Sequence, residues 1–252
     1  EAGIKAIYRL VSHSETTYMT LGSVPKIPYE DLEKERENLI IGSGCFNGGV
    51  FQNAMLKSEE ELEESMKFFD YIEVQPRPNY SYLINTNQLT EERLVDVLQT
   101  IVRVADKAGK MGCATGDCHY VNPEDKITRD VYICSPAVGG GFHPLWSREL
   151  AAGTATYENP DQHLRSTREM LDDVEGWLPK EKAFEIVVTN TNKVADMVEP
   201  VAILKTRLYR PDANLPGSKE KIEEICWGNI KKIYDIDRDG EYPEDSPKSK
   251  PV

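Results

Sequence analysis

No apolar run in this 252-residue chain approaches the roughly 18 to 20 residues that a membrane-spanning helix requires. No basic stretch followed by an apolar one opens the chain either, so neither a secretory signal nor a membrane partner is expected. Cysteine is sparse: five residues, at 45, 113, 118, 134 and 226. An odd, scattered set argues against a disulfide framework and for reduced thiols in a cytoplasmic protein. Basic charge is also short. Lys and Arg number 30 against 43 Asp and Glu, a net charge of -13. A free-standing nucleic-acid binder carries a basic face that displaces phosphate counterions. If this chain works on DNA, the contacts therefore lie elsewhere in a larger protein. There is no Gly-x-Ser-x-Gly elbow, and the glycine turn at 42–44 is not followed by Gly-Lys-Ser/Thr, so no phosphate-cradling loop of that kind is present.

What is there has the make-up of a globular protein, 39% hydrophobic and 29% charged. The chain opens at Glu1 directly into helical spacing, with Ile4, Ile7, Tyr8 and Val11 on one stripe. No capping residue precedes that stripe. A helix with neither cap nor start codon suggests a chain cut from something longer; a processed protein is the plainer alternative.

Up to about residue 135, helical and strand-like segments alternate. Tyr29 to Asn38 reads as a charged helix, Leu39 to Ser43 as a short strand, and Gly48 to Lys57 as a helix. Ser58 with Glu61 forms a capping box for the next helix, which runs to about Phe69. Tyr71 to Gln75 alternates with period two, placing Ile72 and Val74 on one face and Glu73 and Gln75 on the other. Thr90 caps a helix from Glu91 to Lys107 whose stripe is Leu94, Val97, Leu98, Ile101, Val102 and Ala105, and Gly109 ends it. Met111 to Gly116 is a third strand. Three apolar strands separated by helices indicate an α/β fold with a parallel sheet or barrel.

Beyond Ser135 the stretch at 136–141 reads as a flexible connection, and the alternation stops. Helices are expected from Ser166 or Thr167 towards Trp177, from Pro179 to about Val198, and from a Ser218 cap to Tyr234. Residues 236–252 are polar and Pro-containing, and disorder is expected there.

Three places could carry chemistry. The first is Asp117-Cys118-His119 at the end of the third strand. If the strand continues, Asp117 and His119 share a face, and a carboxylate with an imidazole can ligate a divalent metal. An ordinary loop Asp and His would look the same. The second is Cys45 in the Gly42-Ser43-Gly44-Cys45 turn, a thiolate ligand or a small buried residue. The third is Glu73, lining a site or a packing face. Cys113 and Cys118 resemble half of a zinc site, but no second pair follows. His13, His143 and His163 are isolated and read as surface or packing residues. The acidic run from Glu59 to Glu64 reads as a solvated helix face.

Taken together, the IIGSGC turn, FFDYIEVQP, CATGDCHYVNPEDKITRDV, HLRSTREMLDD and EKAFEIVVTNTNKVADMVE resemble PolC-type bacterial DNA polymerase III alpha subunits over about residues 1–235. The resemblance implies the later part of a PHP domain in residues 1–135, a partial distorted (β/α)7 barrel. A mostly helical start of the polymerase core would follow in 136–235, and a disordered tail in 236–252. It implies Cys45, Asp117 and His119 as positions of a PHP metal site for Zn, Mn or Mg, with Glu73 lining it. It further implies DNA synthesis on a primer-template from dNTPs with Mg in the full-length enzyme, an associated 3′-5′ exonuclease, and other replisome subunits as partners. The family's early His-x-His is absent from this chain, and its palm aspartates are expected beyond residue 252. The fading of the resemblance after Asp235 suggests a frameshift or a truncated gene. A stand-alone PHP phosphoesterase and a non-enzymatic interaction module are the alternatives.

Overall fold

The computed structural model describes residues 1–20, 25–136, 140–202, 215–236, 238 and 240. It divides into two compact units, Glu1–Val201 and Ala202–Val252.

In the first unit the elements run α1 (Ala2–Thr16), α2 (Tyr29–Lys34), α3 (Gly49–Leu56), α4 (Glu59–Met66), β1 (Tyr71–Val74), α5 (Ser81–Asn85), α6 (Glu91–Lys107), β2 (Met111–Ala114), α7 (Lys126–Cys134), α8 (Arg148–Ala151), α9 (Thr167–Val174), α10 (Lys180–Phe184) and α11 (Asn190–Asp196). β1 and β2 pair in parallel, Tyr71 opposite Met111 and Val74 opposite Ala114. Parallel neighbours need a long crossover, which α5 and α6 supply.

Helix α6 is the centre of the unit. Thr90 Oγ1 accepts the Arg93 amide at 3.2 Å, and Gly109 closes the helix at φ +65, a conformation that glycine adopts at no steric cost. The whole expected stripe from Leu94 to Ala105 is buried, and so is Val104. The buried arc is wider than one stripe because α6 packs on α3 and α4 as well as on both strands. Leu62 and Met66 of α4 and Ile72 and Val74 of β1 complete this core. Met170, Val174, Trp177, Ala183 and Ile186, from the helical segment after residue 166, belong to the same core.

Three expectations need correction. The segment 39–43 forms no strand; only Gly42 makes an isolated bridge to Tyr71. The reason lies in side chains that take over backbone groups. Asp70 Oδ2 accepts the Ile41 amide at 2.7 Å, and Ser43 Oγ accepts the Glu73 amide at 2.8 Å, so the ladder does not propagate. Gly42 lets the Tyr71 ring lie close, since a Cβ there would meet it at 2.3 Å and displace it.

In α1 the buried residues are Ala6, Leu10 and Ser14, not the stripe of Ile7, Tyr8 and Val11, which stays exposed. On that side Gly3 lies against the Asn38 carbonyl, where a Cβ would come within 2.5 Å. The helix expected from Pro179 to Val198 is interrupted by a π turn at Glu185–Thr189. Thr191 Oγ1 donates to the Val187 carbonyl at 2.7 Å and Asn192 Nδ2 to that of Val188 at 2.7 Å, serving carbonyls at the turn.

The second unit contains α12 (Ser218–Tyr234), whose N-cap is Gly217 at φ +75 rather than Ser218. Arg238 pairs with Glu223 at 2.9 Å. The connection at 136–141 lies partly, and the tail at 236–252 mostly, outside the described residues.

Candidate functional site

The carboxyl ends of β1 and β2 gather the polar side chains of the first unit. After β2, the Thr115 amide donates to the Val74 carbonyl at 2.9 Å, and Thr115 Oγ1 donates to Glu73 Oε1 at 2.8 Å. Gln75 Nε2 donates to the same Glu73 oxygen at 3.0 Å. Glu73 thus ties the two strand ends together. The Gln75 amide donates to Tyr80 Oη at 3.0 Å, while its side-chain Oε1 is buried without a hydrogen-bond partner among the described residues. Burial drives the Tyr80 hydroxyl pKa up; the Gln75 amide opposes this, and the charges of Glu73, Cys45 and Asp117 add to it.

His119 is joined to Asp117 by a turn. Strand β2 stops at Ala114, so strand alternation does not align the pair. Asp117 instead adopts a left-handed backbone, φ +46, which aspartate tolerates better than most residues. Asn79 Nδ2 holds the turn by donating to the Gly116 carbonyl at 2.9 Å. His119 Nδ1 lies 2.8 Å from the Asp117 carbonyl oxygen and 3.9 Å from Asp117 Oδ1. A carbonyl can only accept, so the neutral ring carries its proton on Nδ1 and keeps the lone pair on Nε2. Both side chains are about one-third exposed, 35% each. Cys118 is exposed.

A second segment, residues 159–165, runs alongside. Tyr120 and His163 form a parallel bridge. The His119 amide donates to the Gln162 carbonyl at 2.8 Å, and Gln162 Nε2 donates to Asp117 Oδ2 at 2.8 Å. This strap is itself pinned. Tyr120 Oη donates to Asp161 Oδ1 at 3.0 Å, and His163 Nδ1 lies 2.8 Å from the same oxygen. Arg165 donates to the Asp161 carbonyl at 2.6 Å and to Asn79 Oδ1 at 3.2 Å. Burial raises the Asp161 carboxyl, but the hydrogen bonds from His163 and Tyr120, with the charges of His163 and Arg165, hold it below the usual carboxylate value. His163 is therefore neither isolated nor on the surface. It is 8% exposed and sits between Asp161 and Glu169. A cavity of about 470 Å³ opens beside His119, walled by Tyr120, Thr128, Arg129 and Tyr132.

The structure thus brings Asp117 and His119 together, uses Glu73 to tie the strand ends, and leaves Cys45 on the glycine turn, where its carbonyl accepts the Gly48 amide. Among the described residues, no three His, Cys, Asp or Glu side chains are grouped so that they could hold one metal ion. Asp117 Oδ1 and His119 Nε2 stay open as donors, but the ring nitrogen turned toward Asp117 is Nδ1, already engaged by the Asp117 carbonyl, so the pair by itself does not close on one cation. It is an arm rather than a closed shell. Sequence reading missed Gln162, Asp161 and Asn79, which hold this arm. Only the tertiary fold brings them near it, and no local spacing marks them.

No family model matches the chain. Similar full-length proteins are nevertheless clear. The chain is 40% identical over 237 residues to the DNA polymerase III PolC-type of Halalkalibacterium halodurans, and 41% identical over 233 residues to that of Bacillus subtilis. To the protein of the same name in Listeria innocua it is 39% identical over 235 residues. These matches cover 92–93% of this chain, which spans only about 15% of the length of the curated relatives. Over nearly its whole length, then, the chain belongs with one segment of the PolC-type DNA polymerase III proteins.

Proposed function

We propose that this chain works as part of a replicative DNA polymerase of the PolC type, as scaffold and as one arm of a PHP-type cation site. The whole protein would extend a DNA primer from dNTPs with Mg²⁺, carry the 3′-5′ exonuclease, and contact other replisome subunits. The observation that carries this reading is the match of more than nine-tenths of the chain to PolC-type relatives. The position of the Asp117–His119 pair at the carboxyl end of a parallel strand supports the site, because βα folds place their chemistry there. The β1–α6–β2 unit, with Gly42 bridged to β1, fits a portion of a PHP barrel.

In this reading Asp117 and His119 would be the cation's ligands on this chain, with Cys45 on the glycine turn as a further candidate and the rest of the ligand set supplied from outside these residues. Glu73 lines the site and holds the strand ends in register, with Oε1 already taken by Thr115 and Gln75. A bound Zn²⁺, Mn²⁺ or Mg²⁺ would supply Lewis-acid polarisation of a phosphate oxygen. A stand-alone phosphoesterase would use a complete ligand set, and the sequence has no His-x-His.

Equilibrium dialysis against Zn²⁺ and Mn²⁺ tests the site. Weak retention by the chain is expected, lowered further in Cys45→Ser and His119→Ala. Full stoichiometric loading untouched by either change would remove these residues from the site. Primer extension by the chain alone should be nil; template-directed incorporation would place the nucleotide-transfer centre within these 252 residues.

A further inference from the structure

We propose that Arg129 of α7, with His143 and Thr128 beside it, forms a binding site for a phosphate-type oxyanion. The site goes beyond the cation reading of Asp117 and His119 and does not depend on it.

Arg129 lies on the wall of the 470 Å³ cavity together with Thr128 and Tyr132. That size falls in the range of about 300–1,000 Å³ usual for small-molecule sites. The guanidinium is half-buried and makes no ion pair among the described residues. Its Nε is closed off from water without a hydrogen-bond partner, a costly state for a buried donor. The carboxylates near it in the chain are engaged elsewhere. Asp130 takes Lys126 at 3.4 Å and Asn159 Nδ2 at 2.9 Å. Asp125, on the same cavity wall, turns Oδ2 to the Asn122 amide at 3.0 Å and to Asn122 Nδ2 at 3.1 Å. The Tyr132 ring, 5.6 Å from the guanidinium carbon, steadies the charge but offers no lone pair to the N–H groups.

The contact with His143 also lacks an acceptor. The Leu145 amide donates to His143 Nδ1 at 3.1 Å, so that nitrogen holds the lone pair and the neutral ring carries its proton on Nε2. Burial, with the charges of Arg129 and His119 adding, holds His143 below the ordinary imidazole value and keeps the ring neutral near neutral pH. Nε2–H then meets Arg129 Nη2 at 3.4 Å, donor against donor, because a guanidinium only donates. An oxyanion accepting from both groups removes the mismatch and supplies the missing counter-charge. With the Thr128 hydroxyl on the cavity wall, the donors outnumber the two oxygens of a carboxylate and suit a tetrahedral phosphate.

The test is calorimetric titration of the whole chain, freed of metal on a chelating resin, with inorganic phosphate, glycerol phosphate and acetate. Arg129→Met and His143→Phe are titrated beside it. Saturable binding of phosphate is expected, weaker by about 10- to 100-fold in Arg129→Met and by about 10-fold in His143→Phe. Tighter binding of glycerol phosphate identifies an ester as the ligand and the reverse order the free ion; both outcomes support the site. Arg129→Met should melt no lower than the unmodified chain, since it removes a half-buried charge that has no partner. Absence of phosphate binding, equal binding in Arg129→Met, or acetate bound as tightly as phosphate would overturn the proposal. Should Arg129→Met fail to fold, the ¹⁵N resonance of Arg129 Nε in the unmodified chain decides. A shift on adding phosphate supports the site, and an unmoved resonance overturns it. No cation takes part in these titrations, so the loss of either reading leaves the other untouched.

Discussion

Single side chains at the sheet end are sorted by burial more than by type. Cys113 lies on β2 at 2% exposure, and burial, with the charge of Glu73 adding, pushes its thiol up to about 11. A thiol with that value has about 100-fold less thiolate near neutral pH than an ordinary cysteine. Mass spectrometry after iodoacetamide treatment should therefore find the exposed Cys118 and Cys226 modified first and Cys113 protected until the protein unfolds. Asp161 gives a pH signature. Its folded pKa lies below the ordinary 3.8, so its contribution to stability is present above that value and lost as pH falls through the folded one. Asp161→Asn should be less stable than the unmodified chain near neutral pH, and the gap measured by urea unfolding should close below pH 3.8. Asp117 and His119 were legible in the sequence because two residues of chain suffice to join them. Gln162 was not, because its bond spans 45 residues.

At the level of elements, local signals fared best where they agreed with packing. The Ser58–Glu61 capping box and the Thr90 cap are present as read, and the stripe of α6 is buried throughout. Ser58→Ala should cost about 1 kcal/mol in denaturant unfolding, the usual loss of an N-cap. Leu98→Ala, at the fully buried centre of α6, should cost about 2–5 kcal/mol because a cavity is left behind. Elements were misread where side chains replaced backbone partners. The apolar run at 39–43 looks like a strand by composition, yet Asp70 and Ser43 take its hydrogen bonds. The π turn is likewise a tertiary feature. Asn190, 2% exposed, reaches from its end to the Gly112 carbonyl of β2 at 2.9 Å. Asn190→Ala should cost about 1–3 kcal/mol, since it leaves that carbonyl buried and unpaired.

At the scale of the molecule, the α/β character was legible from alternating periodicities, and the structure bears it out with one small parallel sheet crossed by α6. The likeness to PolC-type polymerases was legible from five strings of sequence spread along the chain, and the relatives bear it out at about 40% identity. No helix among the described residues is long and apolar enough to cross a membrane. The net charge of -13 fits the proposal that any contacts with DNA lie outside this segment.

The account turns on His119 directing Nδ1 at the Asp117 carbonyl and keeping Nε2 open, and long-range ¹H–¹⁵N spectra of the imidazole read this directly. Without metal, Nδ1 should carry the proton and Nε2 should not; on adding Zn²⁺, the Nε2 resonance should shift while the Nδ1 proton stays. A ring protonated on Nε2, or one whose Nε2 resonance ignores Zn²⁺, would contradict the account.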